Sequence, residues 1–176
     1  MYFSKFPMMV YDIKGNKNFK LLPDILKRVK VRSGLSASRF VFDKYNVKEG
    51  EKPEDVAFKY YGDAQYHWVI MITNNLTDRY YEWPMTQPDF EDFLTDKYGA
   101  GSEDSVHHYE LAQTSGKTTS IDESHMLEVN SDTDNASSIS NREYEERIQD
   151  SKRQIQLLDK SFLGDFIAEF DRLIAE

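Results

Sequence analysis

The residues best suited to metal chemistry are the adjacent pair His107-His108, with Asp104 before it and Glu110 after it. Imidazole and carboxylate groups are common zinc ligands. The surrounding residues, 106–111, have the composition of a β-strand, and neighbouring side chains of a strand point to opposite faces. We therefore expect that the two imidazoles do not share one ion, and the sequence predicts neither a metal nor another cofactor.

Carboxylates near the middle of the chain are the other candidates for chemistry. Glu49 and Glu51 flank a glycine, and Glu54 and Asp55 follow a proline. A turn and the start of a helix explain these acids, because negative charge near a helix N-terminus stabilises the helix dipole. No nucleophile motif with a partner histidine and no glycine-rich phosphate loop is present in the sequence. We therefore predict no enzymatic activity.

The stretch from Tyr45 to Asn75 predicts a strand, a tight turn and two short helices. Tyr45 and Val47 alternate with polar residues, as in a half-buried strand. Pro53 suits the first position of a helix, and Gly62 suits the left-handed residue that ends one. The residues predicted to form the core of this stretch are Val47, Val56, Tyr60, Trp68 and Ile72.

This order of elements resembles the LysM domain, a small βααβ module. The tyrosine-x-valine opening, the glycine with an acidic neighbour and the tyrosine-glycine helix end all occur in residues 45–62. LysM modules close with a Gly-Gln-x-Leu-x-Ile-Pro strand, whereas this chain has Tyr80-Tyr81-Glu82-Trp83-Pro84 there. The resemblance implies a glycan groove, with peptidoglycan or chitin oligosaccharide binding as the alternative function. Its residues here would be Gly50, Glu51, Asn74 and Asn75.

Other parts of the chain predict a looser arrangement of short elements. Apolar residues have helical spacing in 22–29 and again in 88–98. Residues 106–111 and 125–129 predict the two strands of a β-hairpin. Residues 131–140 are rich in Ser, Asp, Thr and Asn, which is the composition of a polar linker.

From Asn141 onward the sequence predicts two amphipathic helices. The first has a narrow apolar seam over residues 144–158, with spacings of four and three. The second has a wide apolar stripe. We expect this stripe to contact a partner, through Phe162, Phe166, Ile167, Phe170 and Leu173.

Charge is distributed unevenly along the 176 residues, whose formal net charge is −9. Residues 1–46 carry ten Lys and Arg against three acids, and the remainder carries twelve against twenty-eight. This asymmetry favours docking of a basic arm onto an acidic neighbour, such as another copy of the chain. A solvated face is the alternative for residues 27–32. No nucleic-acid fold signature accompanies the run, so nucleic acid is not the predicted partner.

The chain contains no cysteine, which excludes disulfides and thiolate metal sites and fits assembly in a reducing cytoplasm. No stretch approaches the ~18 apolar residues of a membrane-spanning helix, and the charged start lacks a signal-peptide core. We therefore predict no membrane partner.

The run from Tyr60 to Pro84 and the segment from Tyr144 to Ile174 resemble the gene product fifty-three family of T4-like, contractile-tailed bacteriophages. Residues 40–98 and 141–176 carry the likeness. The resemblance implies a structural, non-enzymatic subunit of the virion's tail baseplate, assembled in the host cytoplasm. Its expected role is to join neighbouring wedges, with other baseplate wedge subunits as partners in a six-fold assembly.

The predicted fold class is α+β, with a LysM-like βααβ module, an N-terminal extended arm, a short β-hairpin region and C-terminal amphipathic helices. Four segments are expected: a basic and aromatic arm (1–39), the module (40–84), a short helix with a β-hairpin and polar linker (85–140), and a helical segment (141–176).

Overall fold

The computed structural model describes residues 2–31, 41–113 and 122–175. Helices and antiparallel strands both occur, which confirms the α+β class. The chain forms two compact units, the first made of Met1–Trp83 with Arg153–Glu176 and the second of Pro84–Lys152. The sequence of the second unit therefore lies between the two parts of the first, and the predicted segment 141–176 is divided between them.

The first unit begins with a short 3-10 helix, Tyr2–Lys5, and a β-hairpin in place of the predicted extended arm. Strand β1 (Met8–Tyr11) pairs in antiparallel with β2 (Lys20–Pro23). The helix predicted over 22–29 is wrong, because β2 takes up its start and residues 24–31 form neither helix nor strand. Val29 and Val31 still pack against the core of the unit, whereas Ile25 and Leu26 remain exposed. Residues 32–39 of the predicted arm lie outside the described residues.

The predicted order of strand, helix and helix is confirmed in the middle of the first unit. Strand β3 (Phe42–Asn46) leads into α1 (Pro53–Tyr61), a 3-10 turn (Ala64–Tyr66) and α2 (His67–Thr73). Pro53 opens α1, and Gly62 ends it in the left-handed conformation, with φ 85°.

The partner of β3 comes from the C-terminal part of the chain. Strand β7 (Gln154–Leu158) runs antiparallel to β3, with Ile155 opposite Tyr45 and Leu158 opposite Phe42. The predicted helical seam over 144–158 is therefore wrong beyond Arg153, where the preceding helix ends. Ile155 and Leu157 lie on one face of the strand and are both buried, and Leu158, the last residue of the predicted seam, is buried on the other face.

Two apolar clusters form the core of the first unit. One contains Phe6, Phe42, Trp68, Val69, Leu158, Phe170 and Ile174. The other contains Val47, Val56, Ala57, Ile70, Trp83, Ile155 and Leu157. After a 3-10 turn (Lys160–Phe162), helix α5 (Leu163–Ala175) supplies Phe170 and Ile174 to the first cluster.

Over its described residues, the second unit consists of two helices and a three-stranded antiparallel sheet of order β5-β4-β6. Its elements are α3 (Gln87–Tyr98), β4 (Val106–Gln113), β5 (Asp122–Val129), β6 (Ser137–Ser140) and α4 (Asn141–Arg153). The predicted helix at 88–98 and the predicted hairpin are confirmed. The stretch predicted as a linker contains β6, because Ile139 is buried and holds it to the unit.

None of the helices in the described ranges is long and apolar enough to cross a lipid bilayer.

Candidate partner surfaces

The residues predicted as the module core fall into two groups. Val47, Val56 and Trp68 are 2%, 0% and 6% exposed, whereas Tyr60 and Ile72 are partly exposed. The Tyr60 hydroxyl donates to Asp43 at 2.5 Å, and burial together with this carboxylate raises the pKa of Tyr60. Sequence reasoning missed Ile70, Leu157 and Trp83, which complete the core.

The apolar stripe of α5 is largely used inside the first unit. Phe170 is 2% exposed, and its ring centroid lies 4.7 Å from that of Trp68, so it belongs to the core and not to a partner surface. Phe166 and Ile167 are partly buried on the same cluster. Among the five predicted interface residues, Phe162 and Leu173 are the most open, at 41% and 36%.

The N-terminal hairpin and the segment after it expose far more apolar surface than α5. Eight large apolar side chains of this region are 50–84% exposed. They are Met8, Val10, Tyr11, Ile13, Phe19, Leu21, Ile25 and Leu26. Residues 1–31 also carry seven Lys and Arg against two acids. A two-stranded hairpin is only marginally stable alone in water, and large exposed apolar patches mark interaction sites. We call this region the hairpin surface.

A groove of about 760 Å³ lies beside the hairpin surface in the first unit. Its floor includes Trp68, Met71 and Ile72 of α2, and Ile25 and Leu26 contribute to its wall. The groove was not anticipated from the sequence, because it depends on the path of residues 24–31.

The structure does not bring the four predicted glycan-groove residues together. Gly50 and Glu51 line one depression, of about 340 Å³, and Asn74 and Asn75 line another, of about 320 Å³. Gly50 adopts a left-handed φ of 73° in the loop after β3, and Asn75 has a φ of 57° after α2.

The Asn74 amide closes the outer edge of β7. Its Nδ2 donates to the Gln156 carbonyl oxygen and its Oδ1 accepts from the Gln156 N–H, both at 2.7 Å. Nδ2 also donates to the Ile70 carbonyl oxygen at 2.9 Å. The side chain therefore acts like a third strand at this point, joining the end of α2 to the β3–β7 sheet.

Glu51 and Trp83 hold the loop between β3 and α1. The Glu51 carboxylate accepts from the Tyr45 hydroxyl and the Lys48 N–H, each at 2.9 Å, and pairs with Lys59. Burial alone would raise the pKa of Glu51, but these hydrogen bonds, the largest of them from Lys59, lower it overall. Trp83 Nε1–H donates to the Glu51 carbonyl oxygen at 2.8 Å. These groups are engaged in structural contacts.

The two adjacent histidines lie together, contrary to expectation. A register shift in the β4–β6 pairing between Val106 and His108 places the Nδ1 atoms of His107 and His108 2.8 Å apart. The His107 ring stacks on Tyr144 with centroids 4.0 Å apart, and His108 Nε2 lies 2.9 Å from Glu110. Within the described part of the chain, no group of three or more His, Cys, Asp or Glu could hold a metal ion.

Helices α3 and α4 are joined by charged groups. Glu145 is 3% exposed, and its Oε1 accepts from the Lys97 ammonium at 2.5 Å and the Tyr98 hydroxyl at 2.7 Å. Arg142 donates to both oxygens of Glu91, at 2.7 and 2.8 Å, which lowers the pKa of Glu91. The arrangement stabilises the second unit.

Polar groups engaged in structural contacts and an exposed apolar hairpin are typical of a subunit of a larger assembly. The family model described as "Base plate wedge protein 53" matches residues 1–119, and the chain belongs to this family. It is thus a structural protein of the virion's tail baseplate.

Over 112 residues the chain is 30% identical to "Baseplate wedge protein gp53" of Enterobacteria phage T4. The match covers 61% of this chain and 57% of that protein, so the chain spans a little over half the length of the relative.

Proposed function

We propose that this chain joins neighbouring baseplate wedges during tail assembly by burying its hairpin surface against other wedge subunits in a six-fold arrangement. The observation that carries the proposal is the exposure of eight large apolar side chains in residues 8–26. The role is structural and not enzymatic. Family membership supports the baseplate location, and the structural contacts of Glu51 and Glu145 support a role without catalysis.

The magnitude of apolar burial favours the hairpin surface over α5. Burying one large apolar side chain contributes about 1.5–3 kcal/mol, whereas association costs about 4–15 kcal/mol. Phe162 and Leu173 are partly covered already. The free energy gained by burying the rest of both side chains would therefore barely offset the association cost. The free energy gained by burying four or more residues of the hairpin surface would exceed the lower end of the association cost. We therefore place the main contact at the hairpin and a minor one at Phe162 and Leu173.

We also propose that the first unit contains a LysM-like module whose closing strand is β7. The order of β3, α1, α2 and β7, with the two strands antiparallel, supports this assignment. Glycan binding is the alternative function, but the four candidate groove residues line separate depressions, and the Asn74 amide is engaged with Gln156. Titration with chitin oligosaccharides, followed by tryptophan fluorescence, tests it. A saturable response would support a glycan role.

Sedimentation velocity of the purified chain, alone and mixed with the other baseplate wedge proteins of the same phage, tests the structural role. We expect a shift of the chain into a larger complex of fixed stoichiometry. The variant Val10→Thr with Leu21→Thr should shift much less, because these two residues pair across the hairpin and are 64% and 61% exposed. Threonine keeps the β-branched character of a strand.

Phe58→Ser is the matched control, since Phe58 is 63% exposed on α1, away from the hairpin. It should enter the complex like the unmodified chain. If the unmodified chain stays free with every wedge protein, the structural role is wrong. If the threonine variant enters the complex normally, the hairpin is not the contact.

A further inference from the structure

Helix α2 is apolar on most sides, yet one of its faces is incompletely covered. Val69 and Ile70 are 0% exposed and face the two clusters of the core. Met71 and Ile72 remain partly exposed. A helix that is hydrophobic all round is normally buried all round. This open face of α2 is therefore only partly covered by the described residues, since Ile72 also packs against the first cluster.

The open face of α2 forms the floor of the 760 Å³ groove. Trp68, Met71 and Ile72 of α2 line it, at spacings of three and four along the helix, and Asn75 lines it from the residues after the helix. Ile25 and Leu26 also line the groove and are 66% and 84% exposed. A groove with helical spacing along its floor matches a second helix, because helices pack by fitting side-chain ridges into grooves of the same spacing.

The rim of the groove carries more positive than negative charge. Lys27, Arg28 and Arg79 line it, with Glu54 as the single acid among the described lining residues. Glu54 Oε1 accepts from Arg79 at 2.8 Å, whereas Glu54 Oε2 is buried and has no hydrogen-bond donor in the part of the chain that the structure describes. Cationic rim groups attract an acidic ligand.

We propose that this groove binds an acidic amphipathic helix of a partner subunit. The apolar side chains of that helix would lie on Trp68, Met71 and Ile72, and its acidic residues would face Lys27 and Arg28. Such helices bind apolar grooves through residues at i, i+3, i+4 and i+7. The inference rests on the proposed structural role, since it names the chemistry of one partner in the assembly.

Two synthetic peptides of about four helical turns test the proposal. Both carry leucine at i, i+3, i+4 and i+7, and the other positions are glutamate-rich in one and lysine-rich in the other. Calorimetry with the full chain gives the affinities, and tryptophan emission reports on Trp68 in the groove. We expect the acidic peptide to change the emission and to bind at least about tenfold more tightly than the basic one, a difference of about 1.4 kcal/mol.

Variants locate the binding site. Leu26→Ser, and separately Lys27→Glu with Arg28→Glu, should each weaken binding of the acidic peptide by about tenfold or more. The control Lys14→Glu with Lys20→Glu makes the same change in net charge at exposed hairpin positions outside the groove lining and should bind as the unmodified chain does.

Absence of binding, equal binding of both peptides, or equal losses in the groove and control charge variants would each overturn the proposal. The titration uses the chain alone. The peptide titration therefore tests the groove proposal, whereas the sedimentation experiment with the wedge proteins tests the structural role.

Discussion

The two units differ in what fills their interiors. Among its described residues, the first unit buries two clusters of apolar side chains, with fourteen buried members between them. The second buries fewer apolar residues, among them Phe90, Leu94 and Ile139, and it also buries the polar residues Asn141, Glu145 and Gln149. Apolar burial stabilises a fold over a wide range of pH, whereas buried charge stabilises it only while its partners remain in place.

The difference between an apolar interior and a partly polar one indicates which unit can carry the partner surfaces. A unit held by a large apolar core can carry an exposed apolar hairpin and an open groove without losing its fold. The second unit depends more on hydrogen-bonded charges, such as Arg142 with Glu91 and Lys97 with Glu145. We therefore place the partner surfaces on the first unit, and the following variants test the two kinds of interior.

The largest effect is expected from Trp68→Ala, because Trp68 is 6% exposed and contacts Phe170 in the core. Truncating a large core aromatic costs about 3–5 kcal/mol of unfolding free energy. Urea unfolding followed by the emission of Trp83, the remaining tryptophan, measures the loss. Phe58→Ala, at an exposed position, should cost less than about 0.5 kcal/mol. Similar losses in both variants would contradict the apolar account of the first unit.

In the second unit, a clear loss of stability is expected from Glu145→Ala. It removes the acceptor of Lys97 and Tyr98, and hydrogen bonds to charged groups contribute about 1.5–3 kcal/mol. Thermal unfolding followed by circular dichroism measures the change. Glu145→Gln keeps an oxygen acceptor and should lose less. An alanine variant as stable as the unmodified chain would show that the charge network is dispensable.

Asn74→Ala should destabilise the first unit by about 1–2 kcal/mol, because the Gln156 N–H and carbonyl oxygen lose their partner. Urea unfolding followed by tryptophan emission checks this. Asn74→Asp retains the acceptor for the Gln156 N–H and should recover part of the loss. If aspartate and alanine behave alike, the bond to the Gln156 N–H contributes nothing measurable.

The smallest effect is a difference in acid sensitivity between the units. Arg142 lowers the pKa of Glu91 and Arg147 lowers that of Glu110, relative to the ordinary 4.5. A carboxylate with a lowered pKa in the folded state stabilises the fold above its unfolded pKa, and this contribution is lost as the pH falls through the folded value. The pKa values of Glu51, Glu82 and Asp159 in the first unit are lowered as well, but the apolar clusters of that unit do not titrate.

Amide hydrogen exchange at about pH 6 and about pH 3 compares the two units. Protection, corrected for intrinsic exchange rates, should fall more in the second unit. Earlier loss of protection in the first unit would contradict the comparison.

Local signals in the sequence were sufficient for the elements that depend on near neighbours. Pro53 and Gly62 define α1, and the strand–helix–helix order follows from residues 45–75 alone. The same is true of α3 and of the β4–β5 hairpin, whose partners are close in sequence.

Features that depend on distant parts of the chain could not be predicted. Ile155 and Leu158 fit both a helical seam and a strand, and only pairing with Tyr45 and Phe42 decides between them. The stripe of α5 indicates an amphipathic helix but not what covers it. Trp68 covers Phe170, which the sequence had suggested for a partner. The irregularity at His107 likewise depends on the register with β6.

Amide hydrogen exchange of the chain, free and bound in the complex with the other wedge proteins, tests the central claim most directly. We predict new protection within residues 8–31 and 65–79, which contain the hairpin surface and most of the groove, and little change in the second unit. Protection gained only in the second unit, with residues 8–31 exchanging as in the free chain, would contradict the account.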